Sequence, residues 1–434
     1  MKKFLNNFFQ LDSNKTNIKT EIIAGITTFL TMAYIIFANP SIMAQSGMDK
    51  DAIFVGTCIA AAIACFIMGF FANWPIGLAP GMGLNAFFTY TVVGKMGYPW
   101  EVALGAVFIA GILFFVMSVT NLRSWMISSI PMNLRIAMGA GVGLFIGIIG
   151  LEAGGIILFN VEDAKYPLLG NFSKADTLLA ALGFLIIAAL SIRKIPGAII
   201  IGILIITLIA IFADLIQFKG LISTPPDIRP TLMKLDILGA LDLGMLTVIM
   251  SFLFVNLFDT TGTLVGVATR ANLLDENGEA ESLDKALKAD SGASIFGTFF
   301  GCSPVTSYVE SSAGVEAGGR TGLTAVVVGI LFILAMFLSP LASIIPAYAT
   351  AGALVYVAIL MLGGMEKLNW SHVTELLPAL IILIMIPLTF SIADGIALGF
   401  LSYVVLKITN GEIKSITYAA WFLTIIFISK FIFL

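Results

Sequence analysis

Apolar residues fill most of this chain in runs long enough to cross a bilayer. Such runs fall near residues 21–39, 52–72, 100–120, 131–151, 175–193, 195–214, 242–268, 285–302, 320–341, 346–364, 372–390 and 391–409. A helix needs about 20 consecutive apolar residues to span the hydrocarbon core, so each run predicts a transmembrane helix. Two weaker segments, near 78–93 and 305–318, are short and rich in Gly, Pro and Ser; counted with the others they bring the expected total to fourteen. A last apolar stretch, residues 416–434, is left over, and reads as a fifteenth span or as a helix lying at the interface.

Lysine and arginine placement orients these spans. Lys2, Lys3, Lys15 and Lys19 precede the first run and put the N-terminus in the cytoplasm. Alternation from there puts Arg123, Arg135, Arg193, Lys194, Arg270, Lys285, Lys288, Arg320, Lys367, Lys407 and Lys414 on the same side. Glu152, Glu162 and Asp163 fall on the opposite side, and the mixed loop of Lys219, Arg229 and Lys234 fits least well. Residues 1–20 are polar and carry no cleavable signal-peptide pattern. The expectation is a multi-pass protein of the cell membrane.

Composition agrees. The 434 residues are 59% hydrophobic and 11% charged, with mean hydropathy +1.03, whereas soluble domains are about one quarter charged. The lipid bilayer is therefore the expected surrounding, and no nucleic-acid partner is expected. Cys58, Cys65 and Cys302 lie in or beside apolar segments and read as buried thiols rather than a disulfide set. With one histidine, His372, and no CxxC or HExxH spacing, no metal site is expected. The chain has no P-loop either, so ATP is not the expected energy source.

Seven spans is an odd number, so a second set of seven begins on the opposite face, which is the inverted-repeat architecture of many secondary transporters. The third element of each half is then the weak one. Pro80, Gly81 and Gly83 interrupt the first, and Pro304 and Gly314 bound the second. Matching interrupted segments point to a substrate site near the midplane, because free backbone at that depth must line a cavity or be buried in protein. The plainer reading is a pair of re-entrant loops or long turns.

Two carboxylates lie inside apolar sequence. Asp259 sits in SFLFVNLFDTTGTLVGV, and Glu310 in SPVTSYVESSAGV. A charge at the bilayer centre costs about 3 kcal/mol on insertion scales, so such groups normally face a cavity and function there. Either acid is a candidate proton carrier. Asp259 and Thr263 are one helical turn apart and share a face; the alternative for Asp259 is a helix end already in water. Beside Glu310 an extended segment would offer backbone donors and acceptors suited to the edge of a flat heterocycle. Asn85, in LAPGMGLNAFF, offers both donor and acceptor, or else caps the broken helix. Phe87, Phe88 and Tyr90 could stack on a ring, although core packing is the commoner role. Glu316 and Asp394 read as interfacial charges. Asp-Thr-Thr-Gly has no second copy and the chain has no GxGD motif, so a protease is not expected.

Taken together, TEIIAGITTFLTMAYIIFANP, LAPGMGLNAFF, NLFDTTGTLVGV, TSYVESSAGVEAGGRTGLTAVVVG and SIADGIALGF make the chain resemble the AzgA-like purine permeases of the nucleobase–cation symporter-2 family, nearly end to end. The resemblance implies uptake of adenine, guanine or hypoxanthine with protons and without a further cofactor. It implies the uracil-transporter fold, all-α with fourteen segments in two inverted sevens and short antiparallel strands in segments 3 and 10. A cytoplasmic N-terminus (1–20) would precede core (21–127), gate (128–240), core (241–343) and gate (344–410) portions and a C-terminal segment (411–434). By the same resemblance Asp259 and Glu310 hold base and proton, Asn85 is the polar residue of segment 3, and Thr263 lies near the ligand. Backbone at Phe87, Tyr308 and Val309 completes the site, and a homodimer forms through the gate portion. VNLFD and GLFIGIIGL lean toward the adenine-transporting members. Two rivals remain: an anion carrier of the same architecture, which two membrane-depth carboxylates disfavour, and an intramembrane hydrolase, for which no second catalytic motif is present.

Overall fold

The computed structural model describes residues 2–120, 130–159, 166–218, 220–242, 244–271 and 282–433. The expected boundary at 127/128 and the charges Arg123, Glu162, Asp163 and Lys219 lie outside them. The chain opens with helices α1 (Lys2–Phe9), α2 (Ile18–Met32), α3 (Ile35–Met43) and α4 (Lys50–Ile67). Strand β1 (Leu78–Pro80), α5 (Met82–Ala86), α6 (Trp100–Val119) and α7 (Met132–Ala153) follow. A small hairpin of β2 (Ile157–Leu158) and β3 (Leu168–Leu169) leads to α8 (Ala175–Ile192), α9 (Ala198–Phe212) and α10 (Met245–Ala271). Next come α11 (Leu283–Phe299), β4 (Val305–Ser307), α12 (Ser311–Glu316), α13 (Gly322–Ala335) and α14 (Ser339–Ile344). The chain closes with α15 (Ala347–Leu362), α16 (Val373–Thr389), α17 (Ile392–Thr409) and α18 (Tyr418–Phe433). Among the described residues, nine helical stretches are long and apolar enough to cross a membrane.

Local chemistry explains where these helices begin. Asn17 and Asp49 accept the Thr20 and Ala52 amides at 3.0 and 2.8 Å, capping α2 and α4. Pro99, Pro131 and Pro346 stand immediately before α6, α7 and α15, where a missing N–H costs nothing. The first apolar run departs from a single helix over 21–39. It breaks at Ala33–Tyr34, where Ile36 and Phe37 bond back only three residues, and it then runs through Pro40 to Met43. Tyr34 keeps right-handed helical backbone angles at this tightened turn.

The two interrupted segments meet as strands. β1 and β4 pair antiparallel, with Leu78 opposite Ser307, Ala79 opposite Thr306 and Pro80 opposite Val305. Flanking bonds extend the pairing, from Gly81 N–H to Pro304 O at 2.9 Å and from Tyr308 N–H to Gly77 O at 3.0 Å. Both strands are fully buried, so their remaining polar groups need internal partners. Cys65 Sγ takes the Leu78 N–H, the Ser294 hydroxyl reaches Val305 O at 2.5 Å, and the Tyr308 hydroxyl reaches Pro80 O at 2.6 Å.

Close approach of backbones holds the surrounding helices. A Cβ built on Gly322, at the start of α13, would lie 2.0 Å from Gly69 O, just beyond α4. At the far face, the corner between α16 and α17 is clasped. Phe390 there has φ 51°, unusual for a bulky residue, and its carbonyl accepts from Thr91 Oγ1 at 2.5 Å. Lys95 Nζ donates to Thr389 O at 3.1 Å and pairs with Asp394 Oδ2 at 3.4 Å.

Replacing Gly322 by Val should therefore destabilise the protein by about 1–3 kcal/mol or more, the usual cost of overpacking. Thermal melting in detergent measures it. Gly139→Ala, where an added Cβ meets nothing within 4 Å, should leave melting unchanged or slightly higher.

Candidate functional site

Asp259 projects from the middle of α10 and Glu310 from the turn that opens α12. They lie within electrostatic reach of each other and of Tyr308, and both are half-buried. Thr263 follows Asp259 on the same helix and is also half-buried. Toward Arg270 the helix becomes more open, since added side-chain atoms at Gly262 and Gly266 would meet nothing within 4 Å.

The surroundings of the two acids differ. Tyr34, itself 1% exposed, donates its hydroxyl hydrogen bond to Glu310 Oε1 at 2.7 Å. Thr31 Oγ1 lies 3.3 Å from the Glu310 carbonyl. Among the described residues, no side chain or backbone group donates to Asp259. Helix α2 supports the whole segment that follows Glu310. A Cβ on Gly314 would lie 2.0 Å from Thr28 Oγ1, so only glycine allows α12 to sit there. Farther along, the buried Glu21 carboxylate accepts the Arg320, Thr321 and Thr324 amides at 2.9, 3.3 and 3.2 Å and the Thr324 hydroxyl at 2.7 Å, capping α13.

Several expectations change here. Glu310 does not stand in an extended segment, because β4 ends at Ser307 and the chain turns into α12. The Phe87 amide is not a free donor: it bonds Gly83 O and Leu84 O within the helix, and the Phe87 ring packs edge-on against Phe252 at 5.0 Å. The Tyr308 amide is used by Gly77 O. Of the three expected backbone groups, the Val309 N–H is the one with no partner among the described residues. Asn85 is fully buried at the other end of the strand pair, where Ser303 Oγ donates to its Oδ1. Its Nδ2 has no partner among the described residues, and no hydrogen bond joins it to either acid. Glu316, read as an interfacial charge, is exposed and pairs with Arg270 at 3.7 Å. Asp394 belongs to the Lys95 clasp.

A third carboxylate was not singled out from the sequence. Asp290, in α11, is 0% exposed, accepts Thr260 Oγ1 at 2.9 Å and Ser307 Oγ at 2.7 Å, and lies within electrostatic reach of Asp259. Thr260 also meets Thr306 Oγ1 at 3.0 Å, so one buried polar network ties α10, α11 and β4 together directly behind the Asp259 face. Its signal was there to read: Asp290 is followed by apolar and small residues through Phe300, but Lys285 and Lys288 made it look like a span boundary. Among the described residues no group of three or more His, Cys, Asp or Glu is arranged to hold a metal ion. Among the described residues, no Lys, Arg or His is a partner of the three acids.

A site rich in acceptors, set beside paired broken segments in a membrane bundle, is equipped to bind a solute. Residues 19–398 match the family model Xan_ur_permease, described as a permease family. The chain belongs to this permease family. The permease is 46% identical over 430 residues to the adenine permease AdeP of Escherichia coli K12, covering 99% of this chain and 96% of that one. It is 42% identical over 416 residues to the guanine/hypoxanthine permease PbuO of Bacillus subtilis, covering 94% and 96%. Among solved structures it is similar to the transmembrane domain of the cyanobacterial bicarbonate transporter BicA, with TM-score 0.61 at 16% identity over 92% of this chain and 96% of that one. That likeness concerns the fold alone. As a multi-pass member of a transporter family, the permease is not an enzyme.

The Asp290 network makes a stability prediction for the permease. Asp290→Leu strands the Ser307 hydroxyl, while Thr260 keeps Thr306 Oγ1 as a partner, and should cost about 1–3 kcal/mol, with Asp290→Asn, which keeps one acceptor, costing less than half of that. Melting of the purified variants distinguishes the two.

Proposed function

We propose that this permease imports purine nucleobases by proton symport and alternating access. The observation that carries the reading is the closeness of Asp259 and Glu310 beside the joined broken segments, with no cation among their partners in the described residues. Carboxylates accept hydrogen bonds, and a purine offers ring N–H and amino donors in one plane. The curated relatives named as adenine and guanine/hypoxanthine permeases support the same substrate class. Asp259 and Glu310 bind the base, and Asp259, which receives no hydrogen bond among the described residues, carries the coupling proton. The Val309 N–H and Thr263 complete the ring contacts, and Asn85 offers its unpartnered amide from the far end of the strand pair.

In this reading the fourteen segments form two inverted sevens, with segments 1–4 and 8–11 as a core that moves against a gate of 5–7 and 12–14. The N-terminus is cytoplasmic, the Lys95 clasp closes the outer face, and the gate portions of two copies meet in a homodimer. The fold likeness to a bicarbonate transporter raises the anion-carrier alternative, but anion sites favour cationic or backbone ligands.

Uptake of radiolabelled adenine, guanine and hypoxanthine into permease-deficient cells tests the reading. Saturable uptake that collapses with a protonophore is expected, and Glu310→Gln should lower it at least tenfold. Purine uptake unaffected by Glu310→Gln, or uptake competed by bicarbonate and not by purines, would overturn it.

A further inference from the structure

The purine-binding reading leaves one buried donor without a role. Tyr34 sits at the break between α2 and α3, 1% exposed, and its hydroxyl donates to Glu310 Oε1 at 2.7 Å. No other side chain donates to that carboxylate among the described residues, its remaining donor being the backbone N–H of Glu310 itself. A glutamate has three rotatable side-chain bonds, and one on a turn at a helix N-terminus has several directions open to it. Here the backbone of the turn is held by α2 and the carboxylate itself by Tyr34, so both ends of the side chain are fixed. Tyr34 reaches Glu310 from the same helical face that carries Thr28, which meets Gly314, and Thr31, whose hydroxyl meets the Glu310 carbonyl.

We propose that Tyr34 is a positioning residue for substrate binding: it holds one oxygen of Glu310 and aims the other at the base. This rests on the purine-transport reading above, in which Glu310 accepts from the bound ring. A carboxylate with one oxygen committed presents a single, directed acceptor, and the ordering it would otherwise undergo on binding is complete beforehand. The effect falls on affinity, because Tyr34 touches Glu310 rather than the domain movement. Thr31, whose hydroxyl also lies within reach of the Thr27 and Thr28 carbonyls, contributes to the backbone of the turn and not to the carboxylate.

The test is Tyr34→Phe, which keeps the ring and removes the hydroxyl, measured alone and in a Glu310→Asp background. The initial rate of radiolabelled purine uptake gives KM and Vmax, using whichever purine the unmodified protein transports. Losing a hydrogen bond to a charged group is worth about tenfold or more in affinity. KM should therefore rise about tenfold in Tyr34→Phe with Vmax within about twofold of the unmodified value. In Glu310→Asp, whose shorter side chain withdraws the carboxylate from Tyr34, the same change should shift KM by less than about twofold. An unchanged KM, or an equal cost in both backgrounds, overturns the proposal. A fall in melting temperature or membrane level with KM unchanged makes Tyr34 a packing residue and overturns it as well. Failure of the unmodified protein to transport any purine would instead sink the functional reading on which the proposal rests.

Discussion

Backbone amides and carbonyls that leave a helix inside a bilayer have no water to turn to, and each unsatisfied group costs several kcal/mol. This chain leaves its helices twice at that depth, and the rest of the architecture follows from how it meets that cost. β1 and β4 satisfy part of each other, and the remainder is distributed to side chains from four other places: Cys65, Ser294, Tyr308 and Ser311. The strand pair then places the first turns of α5 and α12 beside α10. That juxtaposition puts Glu310 within reach of Asp259.

The charge pattern of the resulting site is one-sided. Asp259, Glu310 and Asp290 sit together: Asp290 accepts two hydroxyls and the Ser307 amide, Glu310 accepts the Tyr34 hydroxyl at one oxygen, and Asp259 accepts none among the described residues. Three acids that differ in this way are not interchangeable: Asp290 reads as structural cement between α10, α11 and β4, and the other two remain open to a ligand. The same reasoning separates this site from that of an anion carrier sharing the fold. Architecture positions the broken segments in both, but the side chains decide which solute is tolerated there.

Much of this was legible in the residues. The helices match the apolar runs closely, and Asp259 and Glu310 stood out because a lone charge in a membrane-length run is rare. Asp290 was hidden by two lysines one turn or so before it. Tyr34 was hidden among many aromatics, since nothing in an apolar run reveals that a hydroxyl will find a carboxylate 276 residues away. Glu21, the first residue of the first apolar run and given no role from the sequence, caps a helix 303 residues distant. The amides of Phe87 and Tyr308 are taken up by a helix and a strand extension, and sequence pattern does not say which donor a turn leaves over.

The strand pair also bears on how the protein is made. Tyr308 and Pro80, bonded at its edge, are 228 residues apart, so β1 enters the membrane long before its partner exists. During that interval the first broken segment has its unpaired backbone and no ladder to fill it. Until β4 arrives, the nascent bundle must shelter that segment among helices already inserted or beside the insertion machinery. The strand pair thus needs residues from both halves of the chain, and neither half can assemble it alone.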